Sequence, residues 1–166
     1  MASILSKGFG NIAGARSLPV RPRSCPGMNS QNPVDVAMAF VTKINEHDVD
    51  GLVALMTPDH VFVDALNTTF RGADQMRQGW KGYFAMFPDY AIEVIDELDR
   101  ENLVAMFGKA RGTFAVNGLL PRENFWEIPA AWKAVVKDGL VAEWRVYCDN
   151  DPARKIMVAN SAKAGS

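Results

Sequence analysis

Histidine and cysteine are scarce in this chain, with two of each among 166 residues. His47, His60, Cys25 and Cys148 form no CxxC pair and no histidine cluster, which argues against zinc and against a multi-histidine metal centre. Two cysteines at this length make no disulfide framework, and they are read as one packed thiol and one tail thiol. Long apolar runs are also missing: nothing approaches the roughly 20 residues needed to cross a bilayer. Nor is there an excess of charge of one sign. The net charge is −1, and no basic stripe interleaves with aromatics, so neither nucleic acid nor a membrane is an expected partner. What is present, 48% hydrophobic and 22% charged residues, is the composition of one folded domain.

Carboxylates are absent from the N-terminal stretch, where the first is Asp35. Before it stand Lys7, Arg16, Arg21 and Arg23 among serines, glycines and prolines. Such a segment suits a disordered leader over residues 1–31, an extension upstream of a start at Met28, or an organelle transit peptide over residues 1–27. Pro19, Pro22 and Pro26 break any long amphipathic helix, which favours the first two and a cytoplasmic protein over an organellar one. The stretch from Ile4 to Val20 lacks the continuous apolar core of a secretory signal.

The domain is expected over residues 32–151, followed by a loose tail over 152–166 with at most one helical turn. Asn32 and Pro33 open a first helix, with Ala37, Phe40, Val41 and Ile44 on one face. Asp48 caps a second, short helix, and Thr57-Pro58 ends it. His60 to Ala65 alternates as a strand. After Arg71-Gly72 a third helix carries Met76, Trp80, Tyr83, Phe84 and Phe87 at spacings of three and four. From Tyr90 onward the pattern is strand, turning at Asp99–Asn102, Asn117-Gly118 and Asp138-Gly139, with a bulge expected at Pro129. In the last strand Leu140, Ala142, Trp144, Val146 and Cys148 are assigned to the interior. Helices first and antiparallel strands after predict an α+β fold, three helices against one face of a curved sheet. Between the layers a pocket is expected, lined by Phe40, Phe62, Trp80, Tyr83, Phe84, Trp126, Trp132, Trp144 and Val146.

Asp64 is the residue that gives this pocket chemistry. It lies two positions after Phe62 and therefore on the same strand face. A carboxylate in apolar surroundings holds its proton more tightly and can serve as a general acid or base. Asn67-Thr68-Thr69 follows closely, so capping of a turn is the competing role. His60 is placed on the same face toward the rim, either as a proton relay or as an exposed strand-start residue.

The run Asn45-Glu46-His47-Asp48-Val49-Asp50-Gly51-Leu52-Val53-Ala54-Leu55-Met56, then Asp59-His60-Val61-Phe62-Val63-Asp64, and the ending Asp138-Gly139-Leu140-Val141-Ala142-Glu143-Trp144-Arg145-Val146-Tyr147 resemble the nuclear transport factor two superfamily. The likeness is to its SnoaL-like and ketosteroid-isomerase-like members. It implies a cone-shaped, cystatin-like α+β barrel with a deep pocket, dimeric through the outer sheet face. It also implies that Asp64 falls where the isomerases keep their proton-shuttling aspartate. Their oxyanion tyrosine falls at Phe40, its supporting tyrosine at Trp80 and their protonated aspartate at Ala131, while strand alternation turns Ala130 and Trp132 inward. No register supplies an acidic proton there, and one missing oxyanion donor costs roughly 3–4 kcal/mol of barrier. Ketosteroid isomerisation itself is therefore not expected. The Asp-Arg-Asp water activation of limonene-epoxide hydrolases is not expected either, since Val146 stands at the last-strand carboxylate and Thr113 two residues after Arg111.

The chemistry left is cofactor-free isomerisation, cyclisation or dehydration of a hydrophobic carbonyl compound, with Asp64 moving a proton and Tyr83, Trp80 or Trp126 donating to the oxygen. The alternative is a non-catalytic module of the same fold that binds an apolar ligand or only dimerises.

Overall fold

A computed structural model describes residues 31–164, and its architecture is α+β. The leader, Cys25 and the Met28 start lie outside the described residues. Helix α1 (Pro33–Asn45) begins as the sequence requires: Asn32 Oδ1 accepts from the Val34 N–H at 3.2 Å and proline occupies the first turn. It buries Val36, Ala37, Phe40, Val41 and Ile44. Asp48 caps α2 (Val49–Ala54) by accepting from Gly51 N at 2.8 Å.

The next strand starts earlier than the Thr57-Pro58 break suggests. β1 spans Met56–Val63, with Pro58 on its exposed side, and a short β2 (Thr69–Arg71) folds back on it where only a turn was expected. Helix α3 (Ala73–Met86) buries Met76, Trp80 and Phe84, one residue per turn. Then come β3 (Ala91–Arg100), β4 (Leu103–Thr113), a 3₁₀ turn (Arg122–Asn124), β5 (Phe125–Lys137), β6 (Leu140–Cys148) and α4 (Asp151–Ala164). The six strands form one curved sheet in the order β2-β1-β6-β5-β4-β3, antiparallel except where β1 meets β6. The helices pack on its concave side, and no helix among the described residues is long and apolar enough to cross a membrane.

Three expectations are corrected. Pro129 carries no bulge: the β4–β5 ladder runs unbroken from Leu103↔Val135 to Thr113↔Phe125. Proline is tolerated because the β6 pairing stops at Ala130↔Cys148, leaving that side of Pro129 without a ladder partner. The irregularities fall instead between Val94 and Asp96 in β3 and between Val135 and Val136 in β5, with a third between Met56 and Val61 in β1. At the first, a Cβ on Gly108 would overlap the Glu93 carbonyl oxygen, so only glycine fits opposite the bulge.

The second irregularity shifts the phase of β6. Val135 pairs with Glu143 but Val136 with Val141, so Ala142 is the extra residue. Val141 is consequently buried in place of Leu140 and Ala142, while Trp144 keeps its inward place. Finally, the segment expected to be a loose tail is a helix, with Ala153 buried and Ile156 and Met157 packed on the core.

Candidate functional site

The concave sheet, α3 and the start of α4 surround a cavity of about 340 Å³. Its walls are aromatic: Phe62 at the end of β1, Phe70 from β2, Trp80 and Tyr83 from α3, Tyr90 before β3, Trp126 from β5 and Trp144 from β6. The space exists because small residues face it at several points, Gly79 on α3, Ala110 on β4 and Ala153 on α4. Six rings make a continuous arc. Their centroids are separated by 6.0 Å for Phe70–Phe62, 6.2 Å for Phe62–Trp80 and 6.1 Å for Trp80–Tyr83. The arc continues at 4.9 Å for Tyr83–Tyr90 and 6.1 Å for Tyr90–Trp126.

Asp64 lines this cavity, just past the end of β1. It also caps a turn. Its Oδ1 accepts from the N–H groups of Leu66 at 2.9 Å and Thr68 at 2.8 Å, and its backbone N–H donates to Thr68 O at 3.0 Å. Turn capping, foreseen as the competing role, is thus present, and Oδ2 accepts no hydrogen bond among the described residues. The turn fixes the carboxylate in place and leaves one oxygen for a ligand.

Of the expected lining residues, Phe62, Trp80, Tyr83, Trp126, Trp144 and Val146 reach the cavity together with Asp64. Phe40, Phe84 and Trp132 do not. They are buried in the core: Phe40 tilts against Trp144 at 4.8 Å, and Phe84 stacks on Trp80 at 5.2 Å and on His47 at 4.4 Å. His60 is neither on the rim nor exposed. Its relative exposure is 0%, its Nδ1 bonds Val141 O at 2.7 Å and its ring stacks on Phe40 at 6.0 Å. His60 lies in the irregular stretch of β1 between Met56 and Val61, where the register against β6 shifts, and its ring meets the Val141 carbonyl there. Burial pulls the His60 pKa down despite that hydrogen bond, so the ring is neutral near pH 7.

Several lining residues escaped the sequence reading. Tyr90 shares strand parity with buried Ile92, a signal that identifies its inward face. Cys148 was placed inside but as packing only, and Gln75, Asn150 and Ala153 carry no local signal. Tyr83 and Tyr90 meet edge to face at 4.9 Å, and both line the cavity together with Cys148. Burial pushes both phenols well above the usual tyrosine range, and burial, then Asp149 and Asp64, pushes the Cys148 thiol up. All three are thus neutral donors at pH 7. Trp80 and Trp126 add indole N–H groups that are buried without a partner among the described residues. The arrangement is one carboxylate in a largely apolar hollow whose other polar lining groups, the phenols, indoles, thiol and the amides of Gln75 and Asn150, are neutral.

The sequence pattern of the SnoaL-like domain matches residues 37–144. No curated protein matches the chain. Among solved structures, IdmH, a candidate polyketide cyclase from Streptomyces antibioticus, is similar at 25% identity and TM-score 0.64, covering 76% of this chain and 99% of its own. A candidate SnoaL-like polyketide cyclase from Shewanella putrefaciens superimposes at TM-score 0.66 with 16% identity, over 79% of this chain and 99% of that one. A cystatin-fold protein from Novosphingobium aromaticivorans does so at TM-score 0.60 with 19% identity, over 70% and 98%.

Proposed function

We propose, from the premise that the chain belongs to the SnoaL-like domain family, that it is a cofactor-independent isomerase, cyclase or dehydratase acting on a hydrophobic carbonyl compound. The observation that carries this reading is Asp64, whose Oδ2 accepts no hydrogen bond among the described residues, in a cavity whose other polar lining groups are neutral. Asp64 takes a proton from the carbon next to the carbonyl. The electron pair of that C–H bond becomes the C=C bond of an enolate as the C=O π pair moves onto oxygen, where the Tyr83 phenol or the Trp80 or Trp126 indole donates a hydrogen bond. Return of the proton at another carbon is isomerisation, and attack of the enolate carbon on a second carbonyl is ring closure. The candidate cyclase assignment of IdmH favours the second outcome.

A panel of ketones, lactones and polyketide-like aromatics, screened by thermal shift, finds ligands because binding to the folded state raises its Tm. Asp64→Asn then separates the two readings. Loss of turnover with unchanged affinity supports the enzyme; unchanged behaviour, or altered affinity alone, supports a pocket that only binds. Asparagine keeps an Oδ1 acceptor for Leu66 and Thr68, so the turn survives the substitution.

The outer sheet face supports a homodimer as part of this reading. Phe107, Ala131 and Tyr147 are register partners across β4, β5 and β6, and Phe107 and Tyr147 are 44% and 53% exposed. Sedimentation of the wild type against Phe107→Glu reports whether this row joins two copies.

A further inference from the structure

The geometry points to a second ligand class for the cavity: lipophilic ammonium ions, with the nitrogen against Asp64 and the aromatic arc. Three observations converge. Asp64 is the one charged residue that lines the space, and none of its described lining residues is lysine, arginine or histidine. The Asp64 Oδ2 accepts no hydrogen bond among the described residues, so a charged partner is wanting rather than displaced. The rings of Phe62, Trp80, Tyr83, Tyr90 and Trp126 follow one another along the wall with centroids 4.9–6.2 Å apart and neighbouring planes steeply inclined, and a cation within about 6 Å of a ring centroid is attracted to its face.

The charges beyond the lining reinforce this polarity. Asp149, next to Cys148 in the chain, pushes its thiol pKa up as Asp64 does, and its Oδ1 accepts from Asp151 N at 3.0 Å at the start of α4. Arg145 on β6 is engaged elsewhere: it donates to Asn67 Oδ1 at 3.1 Å and pairs with Glu143 at 3.2 Å. A carboxylate or phosphate ligand would find no counter-charge among the lining residues, whereas an ammonium ion finds one carboxylate and aromatic walls. The inference goes beyond the proposed reaction. An ammonium ion paired with Asp64 occupies the oxygen that would take the substrate proton, so such a ligand inhibits turnover instead of undergoing it.

The test uses the full chain, its tryptophan fluorescence and three probes of similar size: benzyltrimethylammonium, its uncharged carbon isostere neopentylbenzene, and hydrocinnamate. The ammonium ion is expected to bind at least about tenfold more tightly than the isostere, in line with cation–π and ion-pair contributions in a desolvated site. Hydrocinnamate is expected to bind most weakly. In Asp64→Asn the ammonium advantage shrinks to about threefold, the share left to the rings, while the isostere's affinity stays as in the wild type. An isostere that binds as tightly as the ammonium ion, a carboxylate that binds best, or no saturable binding of the ammonium ion each overturns the inference. Its failure is distinct from that of the proposed reaction, since charge preference is read without turnover and turnover without any amine.

Discussion

His60 makes the stability of this fold pH-dependent in a direction that can be worked out. Its Nδ1–H donates to Val141 O at 2.7 Å, which leaves Nε2 as a bare acceptor, buried and without a partner among the described residues. A second proton must go to Nε2, where no acceptor waits and burial penalises the charge. The folded pKa is therefore below the ordinary value of 6.5. A depressed pKa means that the unfolded chain binds the proton first. This contribution to stability is complete above the unfolded value and is lost as pH falls below it. One such group gives a slope of at most about 1.4 kcal/mol per pH unit, large against a total of about 5–15 kcal/mol. His60→Gln keeps a donor for Val141 O but carries no titrating ring. It is expected to cost about 1–2 kcal/mol near neutrality through lost packing and imperfect hydrogen bonding. Urea unfolding from about pH 8 to pH 5, with unchanged m values, separates the two effects. The wild type should lose stability below its plateau and the variant should run nearly flat over that range. A wild type that is flat, or a variant that falls as steeply, refutes the argument.

Asp89 accepts from both Thr113 N and Thr113 Oγ1 at 2.6 Å, so Asp89→Ala strands two polar groups of a buried residue; a loss of about 2–3 kcal/mol in urea unfolding is expected. Gly108→Ala drives a methyl group into the Glu93 carbonyl and should destabilise by at least about 2 kcal/mol, whereas Gly82→Ala on α3, which meets open space, should be neutral or slightly stabilising in the same Tm comparison. Removing α4 takes away Ala153, Ile156 and Met157, uncovers the core they pack on and opens one wall of the cavity; a cost of about 2–3 kcal/mol and increased binding of a hydrophobic dye are expected.

The fold was legible because its signals are local and consistent. The Asn32 and Asp48 caps, the three-and-four spacing of Met76, Trp80 and Phe84, and the Asp138-Gly139 turn, with φ of 52° and 75°, each specify their element from adjacent residues. The failures arose where distant contacts decide. The extra residue in β6 reverses the facing of Val141 and Ala142, and nothing in that stretch of sequence announces it. His60 followed strand parity into the interior, but the carbonyl that keeps it there is 81 residues away. α4 has no strong apolar stripe, and it is held by Ala153, Ile156 and Met157 against the core and by Asn160 donating to Asn124 Oδ1 at 3.0 Å. The inward turn of Asp64 was visible in its alternation with Phe62, whereas the division of labour between its two oxygens depends on the turn that Thr68 closes.

The most direct measurement is solvent-deuterium uptake, by NMR, at the carbon beside the carbonyl of a ketone ligand bound to the wild type and to Asp64→Asn. If the Asp64 carboxylate moves a proton inside the aromatic cavity, the wild type exchanges that position catalytically and the variant, at equal occupancy, does not. Exchange at the same rate in both proteins, or at the background rate in both, contradicts the account.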